Sequence, residues 1–578
     1  MSEAVLPGPE KQVATDGDSA KADESINNSL TTSPADHVPV VADGANEVTD
    51  WKPDRNFWLA LSPLTLLALM VSLDGTSVSV ALPIIADSLH GTAIEAFWTG
   101  TSFLLSSAVF QLPIGAFSDI FGRRIILTIC TALFLIGIII SSVSNTFTPM
   151  LVGRTIQGVG GGGVILLNDI VITDLVPMRQ RGAYFGIIGA IWGVGSVTGP
   201  VIGGAFAIGA TWRWLFWINI PFAGISLILV PIFLRLNRTP GSIAHRLARV
   251  DWVGSVLFVA ASTSLLMPLT WGGVMYSWSS WQTLLPLLLG IFGLVGFGFY
   301  EAYVPAEPIF KVGLLRNYNL AYSLFGSCIN AALVYAALYF MPLYFEAVQG
   351  YSPVISGVAL FPATFTVAPM SVVAGVIISK TGDFRVVTWV GWLACTVGMG
   401  VCTLLDVGTS VQKWFFLTFT TGIGLGLLYT SLAIVNQAGA ADKLMASAIS
   451  LFIFSRMLGQ ALGVGISGVI FQNQMRSNLL QTSLASMADD YSRDASSLVA
   501  TLKDMPGGPQ RDELLQAYAD SLKIVWAVMC ALSGVAGIGS IFMKKRNENR
   551  WCREHETSWV QRDMKAETSL LRLMSPEW

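Results

Sequence analysis

The chain has 578 residues, 53% of them apolar and only 12% charged, with a formal net charge of −3. Soluble domains carry about 25% charged residues, so a chain of this composition lacks the polar surface needed to dissolve in water. The near-neutral charge excludes a nucleic-acid footprint, and six scattered cysteines without a CxxC pair exclude a disulfide framework or a zinc site.

Residues 1–50 are rich in Ser, Ala, Asp and Glu and poor in aromatics, so the segment 1–55 is expected to be a disordered tail. It lacks the basic start and apolar core of a cleaved signal peptide, which leaves the first apolar segment to act as the signal. A glycosylation sequon at Asn27 lies in this tail, on the side assigned below to the cytosol, and is discounted.

A membrane-crossing helix takes about 20 mainly apolar residues. Segments of that kind follow at 59–84, 96–116, 125–144, 149–172, 183–207 and 214–234. A basic connector comes next, then two segments at 252–271 and 283–303. Six more lie at 320–345, 353–378, 386–406, 414–436, 445–472 and 523–543. The expectation is an all-α polytopic membrane protein with fourteen transmembrane helices. Residues 56–235 would form one six-helix bundle, 236–319 a linker with two extra helices, and 320–545 a second bundle. Residues 546–578 would be a second tail.

Alternate connections carry the positive charge. Lys52 and Arg55, Arg123 and Arg124, Arg179 and Arg181, Arg235 to Arg249, Lys311 and Arg316, Lys380 and Arg385, Lys443, and Lys544 to Arg546 fall on one side. The connections between them carry almost none, Arg213 and Lys413 excepted. The excess of Lys and Arg marks the cytosolic side, so both termini are expected there; the expected location is the cell membrane, multi-pass, with the vacuolar membrane as the alternative. The long outer connection 473–522 contains an amphipathic stretch from Asp512, DELLQAYADSL, expected as a helix on the outer surface.

Several ionisable residues sit inside apolar segments. Asp74 lies halfway along the first, Arg154 in the outer part of the fourth and Arg456 near the middle of the thirteenth. A charge at mid-bilayer costs at least about 2.5–3.5 kcal/mol on insertion scales, so it faces a partner or a water-filled path. All three are candidates for proton coupling; for Asp74 the bland alternative is helix packing, for Arg154 snorkelling. Asp169 and Asp174, near the cytosolic end of the fourth segment, fit either a gate network with Arg123 or a solvated helix end. Asn330, Tyr335, Tyr339, Phe340 and Tyr344 on the ninth segment, with Gln157 on the fourth, are candidate cavity residues for a bulky, partly aromatic ligand. Cys130, Cys328, Cys395, Cys402 and Cys530 lie in apolar runs, as small core residues do, and Cys552 lies in the basic tail.

The loop GAFSDIFGRRI, residues 115–125, sets Gly115, Asp119, Gly122, Arg123 and Arg124 at fixed spacing, and a degraded copy, GVIISKTGDFR, occupies 375–385 with Ser379 in place of the aspartate. One copy in each half suits a duplicated transporter. In WGVGSVTGPVIGG, residues 192–204, Gly195, Gly199 and Gly203 recur every four residues around Pro200, with Gly204 following. Small residues at that spacing let helices approach closely and proline kinks them, so a packed hinge is expected there. The run from Gly158 to Gly163 has no preceding strand, so it is no dinucleotide loop.

The loop at 115–124 resembles the signature loop of the major facilitator superfamily. LDGTSVSVALP at 73–83, LVGRTIQGVGGGG at 151–163 and the glycine-rich segment at 192–204 resemble the first-, fourth- and fifth-helix motifs of its drug:proton antiporters. WRWLFWINIPF at 212–222 and the extra pair beginning at Asp251 point to the fourteen-spanner branch, and FIFSRMLGQALGVGISGVIFQN at 452–473 resembles fungal members. The resemblance implies two six-helix bundles plus two extra helices, and proton-coupled efflux of a toxin, secondary metabolite or drug by a monomer that needs no cofactor or metal. The rival within transport is a vacuolar or plasma-membrane carrier of basic amino acids or siderophores. An enzyme is disfavoured: no HExxH occurs, and the chain has four histidines.

Overall fold

The computed structural model describes residues 53–544, apart from 91–92, 235–241, 273–274, 306, 442–443 and parts of 493–504. Residues 1–52 of the first predicted tail, all of the second, the connector residues Arg235 and Arg238, and Lys443 lie outside the described residues, as do the side chains of Pro200 and Arg179.

Among the described residues the chain is helical, without a strand. The helices are α1 (Arg55–Ser88), α2 (Ala93–Val109), α3 (Gln111–Phe121), α4 (Arg123–Ser142), α5 (Phe147–Leu175), α6 (Met178–Gly209), α7 (Trp214–Trp217), α8 (Asn219–Phe233) and α9 (Ile243–Ala248). They continue with α10 (Trp252–Trp271), α11 (Trp281–Tyr303), α12 (Tyr318–Ala347), α13 (Pro353–Ala359), α14 (Phe361–Thr381), α15 (Phe384–Cys402), α16 (Val411–Gly439), α17 (Met445–Leu479), α18 (Ala488–Ser492) and α19 (Pro509–Ile541). Thirteen spans are long and apolar enough to cross a membrane, and the α2–α3 pair, bent by 46°, makes a fourteenth if it is a single span.

Three predicted segments are broken: 96–116 at Phe110, 214–234 at Ile218 and 353–378 at Leu360. Each break lies two or three residues ahead of a proline: Pro113, Pro221 and Pro362. Proline has no N–H to give the carbonyl four residues back, here Val109, Trp217 and Val358, and its ring crowds that turn. The outer amphipathic stretch is not a separate helix. It forms the first turns of α19, whose Tyr518 packs on Phe471 of α17 with ring centroids 4.8 Å apart, so burial carries the helix on without a stop.

The surface inverts the pattern of a soluble protein. Ile129, Ile136, Ile228, Leu289, Phe292, Phe416 and Ile538 are exposed, while Ser72, Gln111, Asn168, Thr421 and Asn436 are buried. Lipid solvates the first group and cannot satisfy the second, so this is a multi-pass membrane protein. By packing, α1–α8 form one set and α12–α17 with α19 another. α10 and α11 pair with each other where the sets meet, and Leu112, Phe258, Phe297 and Phe454 form one buried cluster there.

α6 links the two sets through two rows of glycine. Gly195, Gly199 and Gly203 face Ser72, Thr76 and Ser77 of α1, inside their own set. Gly182, Gly186 and Gly193 face Gly375, Val372 and Ala368 of α14, in the other set. A Cβ on Gly182 would stand 2.8 Å from the Gly375 carbonyl oxygen, and one on Gly193 2.6 Å from the Ala368 Cβ, so the backbones cross in near contact. The expected hinge row therefore packs on α1, and the row that crosses between the sets begins earlier in the same helix.

Candidate functional site

The first site is a polar knot enclosed by one helix set. α1 brings Asp74, α5 brings Arg154 and Gln157, and α8 brings Asn219; each is at most 1% exposed. Arg154 Nη1 donates to Asp74 Oδ2 at 2.7 Å and to Gln157 Oε1 at 2.9 Å. Gln157 Nε2 donates to Asp74 Oδ1 at 2.8 Å, and Asn219 Nδ2 reaches the same oxygen at 3.4 Å. Arg154 Nε donates to the Thr99 carbonyl oxygen at 2.9 Å, and the guanidinium lies over the Phe103 ring, 4.4 Å from its centroid. A charge pair this buried persists because each ion has a counter-ion and hydrogen bonds together.

Glycine makes the knot possible. α5 is squeezed between α2 and α4: Gly158 and Gly162 meet the backbone of Phe103 and Ser107 on α2, while Gly160 meets that of Phe134 on α4. Any side chain there would push Arg154 away from Asp74.

The second cluster lies at the end of the molecule that bears the basic loops. Arg123 pairs with Asp119, donates from Nε to Asp174 Oδ2 at 3.2 Å, and donates from Nη1 to Ser118 Oγ at 3.1 Å. Arg181 Nε donates to the Val176 carbonyl oxygen at 2.9 Å, and its Nη2 to that of Thr173 at 2.7 Å, closing the end of α5. Arg124 is partly exposed beside them, without an ion-pair partner among the described residues. Asp119 and Asp174 keep 39% and 35% of their side-chain exposure, so each pair contributes at most about 1 kcal/mol. Gly115 sits against Ser450 of α17, in the other set.

Gly122 joins α3 to α4 at φ 99° and ψ 139°, a conformation that L side chains avoid. Gly122→Ala is expected to cost about 1–3 kcal/mol, read as a lower thermal midpoint of the detergent-solubilised protein. An unchanged midpoint would mean the turn is not strained.

The third is a small crevice between the two sets, lined by Asp169 of α5, Phe185 and Gly189 of α6, Tyr429 and Thr430 of α16, and Arg456 of α17. Arg456 lies over the Tyr429 ring at 4.1 Å and within 5.0 Å of Phe452, and donates to the Tyr429 carbonyl oxygen at 3.4 Å.

The sequence candidates therefore separate. Asp74 and Arg154 meet, but Arg456 belongs to the crevice. Gln157, expected in a ligand cavity, is spent inside the knot, because the face of α5 that carries Arg154 also turns it toward Asp74. Asp169 faces Arg456 rather than the Arg123 network, while Asp174, more than a turn further on, joins Arg123. Asn330 is buried with its Nδ2 unpartnered, Tyr335 and Tyr339 stack with centroids 6.3 Å apart, and Tyr335 lies near Tyr429. Phe340 and Tyr344 are buried against Phe471 and Phe345 and do not line the crevice, since their side of α12 packs into its own set. Asn219 escaped the sequence reading; its one signal was an amide in the apolar run WRWLFWINIPF.

The pattern that defines the Major Facilitator Superfamily matches residues 64–464. "MFS transporter L2" of Phoma sp. (strain ATCC 20986 / MF5453) is 47% identical over 507 residues, covering 87% of this chain and 85% of that protein. "MFS-type efflux pump LUC4" of Fusarium sp is 36% identical over 504 residues, covering 86% and 88%. Among solved structures, the MFS proton:xylose symporter XylE aligns with a TM-score of 0.52 at 15% identity, over 82% of this chain and 98% of that one, a likeness of fold alone.

Proposed function

Because the chain belongs to the major facilitator superfamily and is a transporter, we propose that it exports small organic molecules, secondary metabolites or drugs, in exchange for protons. The observation that carries this reading is the Asp74–Arg154 pair, an acid and its counter-ion wholly enclosed by helices. The name of the Fusarium relative supports the outward direction. By the distribution of Lys and Arg, the basic end and both termini face the cytosol of a cell-membrane pump.

The step assigned to the proton is local. Neutralising Asp74 removes the counter-ion of Arg154, whose remaining bonds to Gln157 and Thr99 and its place over Phe103 hold it on the α2–α5 side. α1 is then freed from α5 but stays tied to α6, where Ser72 Oγ donates to the Trp192 carbonyl oxygen at 2.7 Å and Thr76 Oγ1 to that of Gly195 at 3.3 Å. α6 in turn crosses α14 through its other glycine row. A proton at Asp74 thus has a continuous packed route to the junction that alternating halves must open.

Fluorescein, Nile red and rhodamine 6G, an acidic, a neutral and a cationic dye, provide the test in cells expressing the protein. At least one is expected to be expelled, with expulsion lost on collapse of the pH gradient and in Asp74→Asn, and partly kept in Asp74→Glu. Expulsion untouched by both treatments would overturn the exchange.

A further inference from the structure

Arg456 and Asp169 confront each other across the crevice between the two helix sets without forming an ion pair among the described residues. Neither carboxylate oxygen of Asp169 has a hydrogen-bond partner among the described residues, and Arg456 bonds to Tyr429 alone, to its side chain and, at a long 3.4 Å, to its carbonyl oxygen. A guanidinium carries five N–H donors in a planar fork, so Arg456 has donors to spare, and its flat face is already held by Tyr429 and Phe452. This is unlike Arg154, whose bonds to Asp74, Gln157 and Thr99 run from 2.7 to 2.9 Å and include a carboxylate. With about 10 Å³ of interior space the crevice holds no more than a water as it stands. On widening it offers an oriented cation with spare donors, aromatic walls in Tyr429 and Phe185, and an opposing carboxylate in Asp169.

The geometry points to a binding site for the acidic group of a planar organic anion, a carboxylate or phenolate, held by the fork of Arg456 with its ring against Tyr429 and Phe185. Carboxylate and guanidinium match as two parallel N–H···O bonds, and the aromatic walls exclude water and strengthen them. Asp169 faces the same guanidinium across the crevice without bonding to it, so its carboxylate opposes an incoming acid by repulsion and leaves the fork open. This rests on the transport reading and names the chemical class of cargo for it, but binding needs no proton gradient, so the two fail separately.

The opposite roles of the two residues give the test. Purified full-length protein in lipid nanodiscs is titrated at one fixed pH with three anthracenes of the same ring and different charge: 9-anthracenecarboxylate, 9-anthracenemethanol and 9-aminomethylanthracene. The acid is expected to bind at least about 10-fold more tightly than the alcohol or the amine, since each 1.4 kcal/mol is tenfold. Arg456→Gln is expected to weaken the acid by about 30-fold or more and bring it level with the alcohol, whose affinity should barely change. Asp169→Asn is expected to tighten the acid, and Arg456→Lys to keep its charge preference at reduced affinity. A merely structural role would move all three ligands together in every variant. Equal binding of the three by the native protein, binding of none, a preference for the acid that survives Arg456→Gln, or weaker acid binding in Asp169→Asn would each overturn the assignment.

Discussion

Arg154→Leu is expected to cost the protein about 3–5 kcal/mol, a larger loss than any other single change considered for the knot. Arg154 is 1% exposed and Asp74 0% exposed, so deleting the arginine strands a carboxylate that lipid and neighbouring helices cannot solvate. Gln157 and Asn219 still reach Asp74 Oδ1 at 2.8 and 3.4 Å, but two amides do not neutralise a charge. Asp74→Asn strands the guanidinium instead, more mildly, because Gln157, Thr99 and the Phe103 ring still hold it.

The double variant Asp74→Asn, Arg154→Leu removes both charges and should lose about 2–3 kcal/mol less than the two single losses added together. It should not recover proton-driven export, because no titrating group remains in the knot. Reversible unfolding in mixed micelles, followed by tryptophan fluorescence, measures the four corners of this cycle. Additive losses, or an Arg154→Leu protein as stable as the native one, would show that the pair is not the buried unit described.

The second large effect is expected where α6 crosses α14. A Cβ on Gly375 would drive into the Gly182 carbonyl group and lie 3.3 Å from the Ala183 nitrogen, and these are backbone atoms that yield only if a helix moves. Overpacking of this kind costs about 1–3 kcal/mol. The cost falls on the conformation in which the helices touch, so Gly375→Ala should shift the population toward one in which they part.

Thr430 reports on that shift. It lines the crevice yet is 1% exposed here, so a cysteine in its place, in a chain freed of its six native cysteines, should react slowly with a maleimide. Adding Gly375→Ala is expected to raise the labelling rate several-fold and to impair export. Gly224→Ala is the control, because a Cβ there meets nothing within 4 Å. Equal labelling with and without Gly375→Ala would mean that the crossing does not gate the crevice.

Much of the fold was legible because one-dimensional features determine it. Lipid forces each spanning segment to be apolar and to satisfy its own backbone, so the spans stand out as runs near 20 residues. The breaks at Phe110, Ile218 and Leu360 were less visible. Pro231, Pro268 and Pro342 also lie inside helices and leave them continuous, and whether a helix divides at a proline depends on what neighbours fill the weakened turn. The start of α19 is hidden in the sequence for a related reason. Polar residues suggested a surface helix, but burial of Leu514 and Tyr518 joined it to the span.

The sequence alone determined the membrane class, the family motifs and the presence of costly charges at Asp74, Arg154 and Arg456, because the price of a charge in lipid is a property of the residue and its apolar surroundings. Only the tertiary structure decided which of those charges are spent and which are open. Asp74 and Arg154 lie 80 residues apart, and Asp74 and Asn219 145 apart; they meet because glycines let α5 press against α2 and α4. Arg456 keeps spare donors because its helix brings it to the junction of the two sets, where Tyr429 and Phe452 hold it and no carboxylate among the described residues pairs with it.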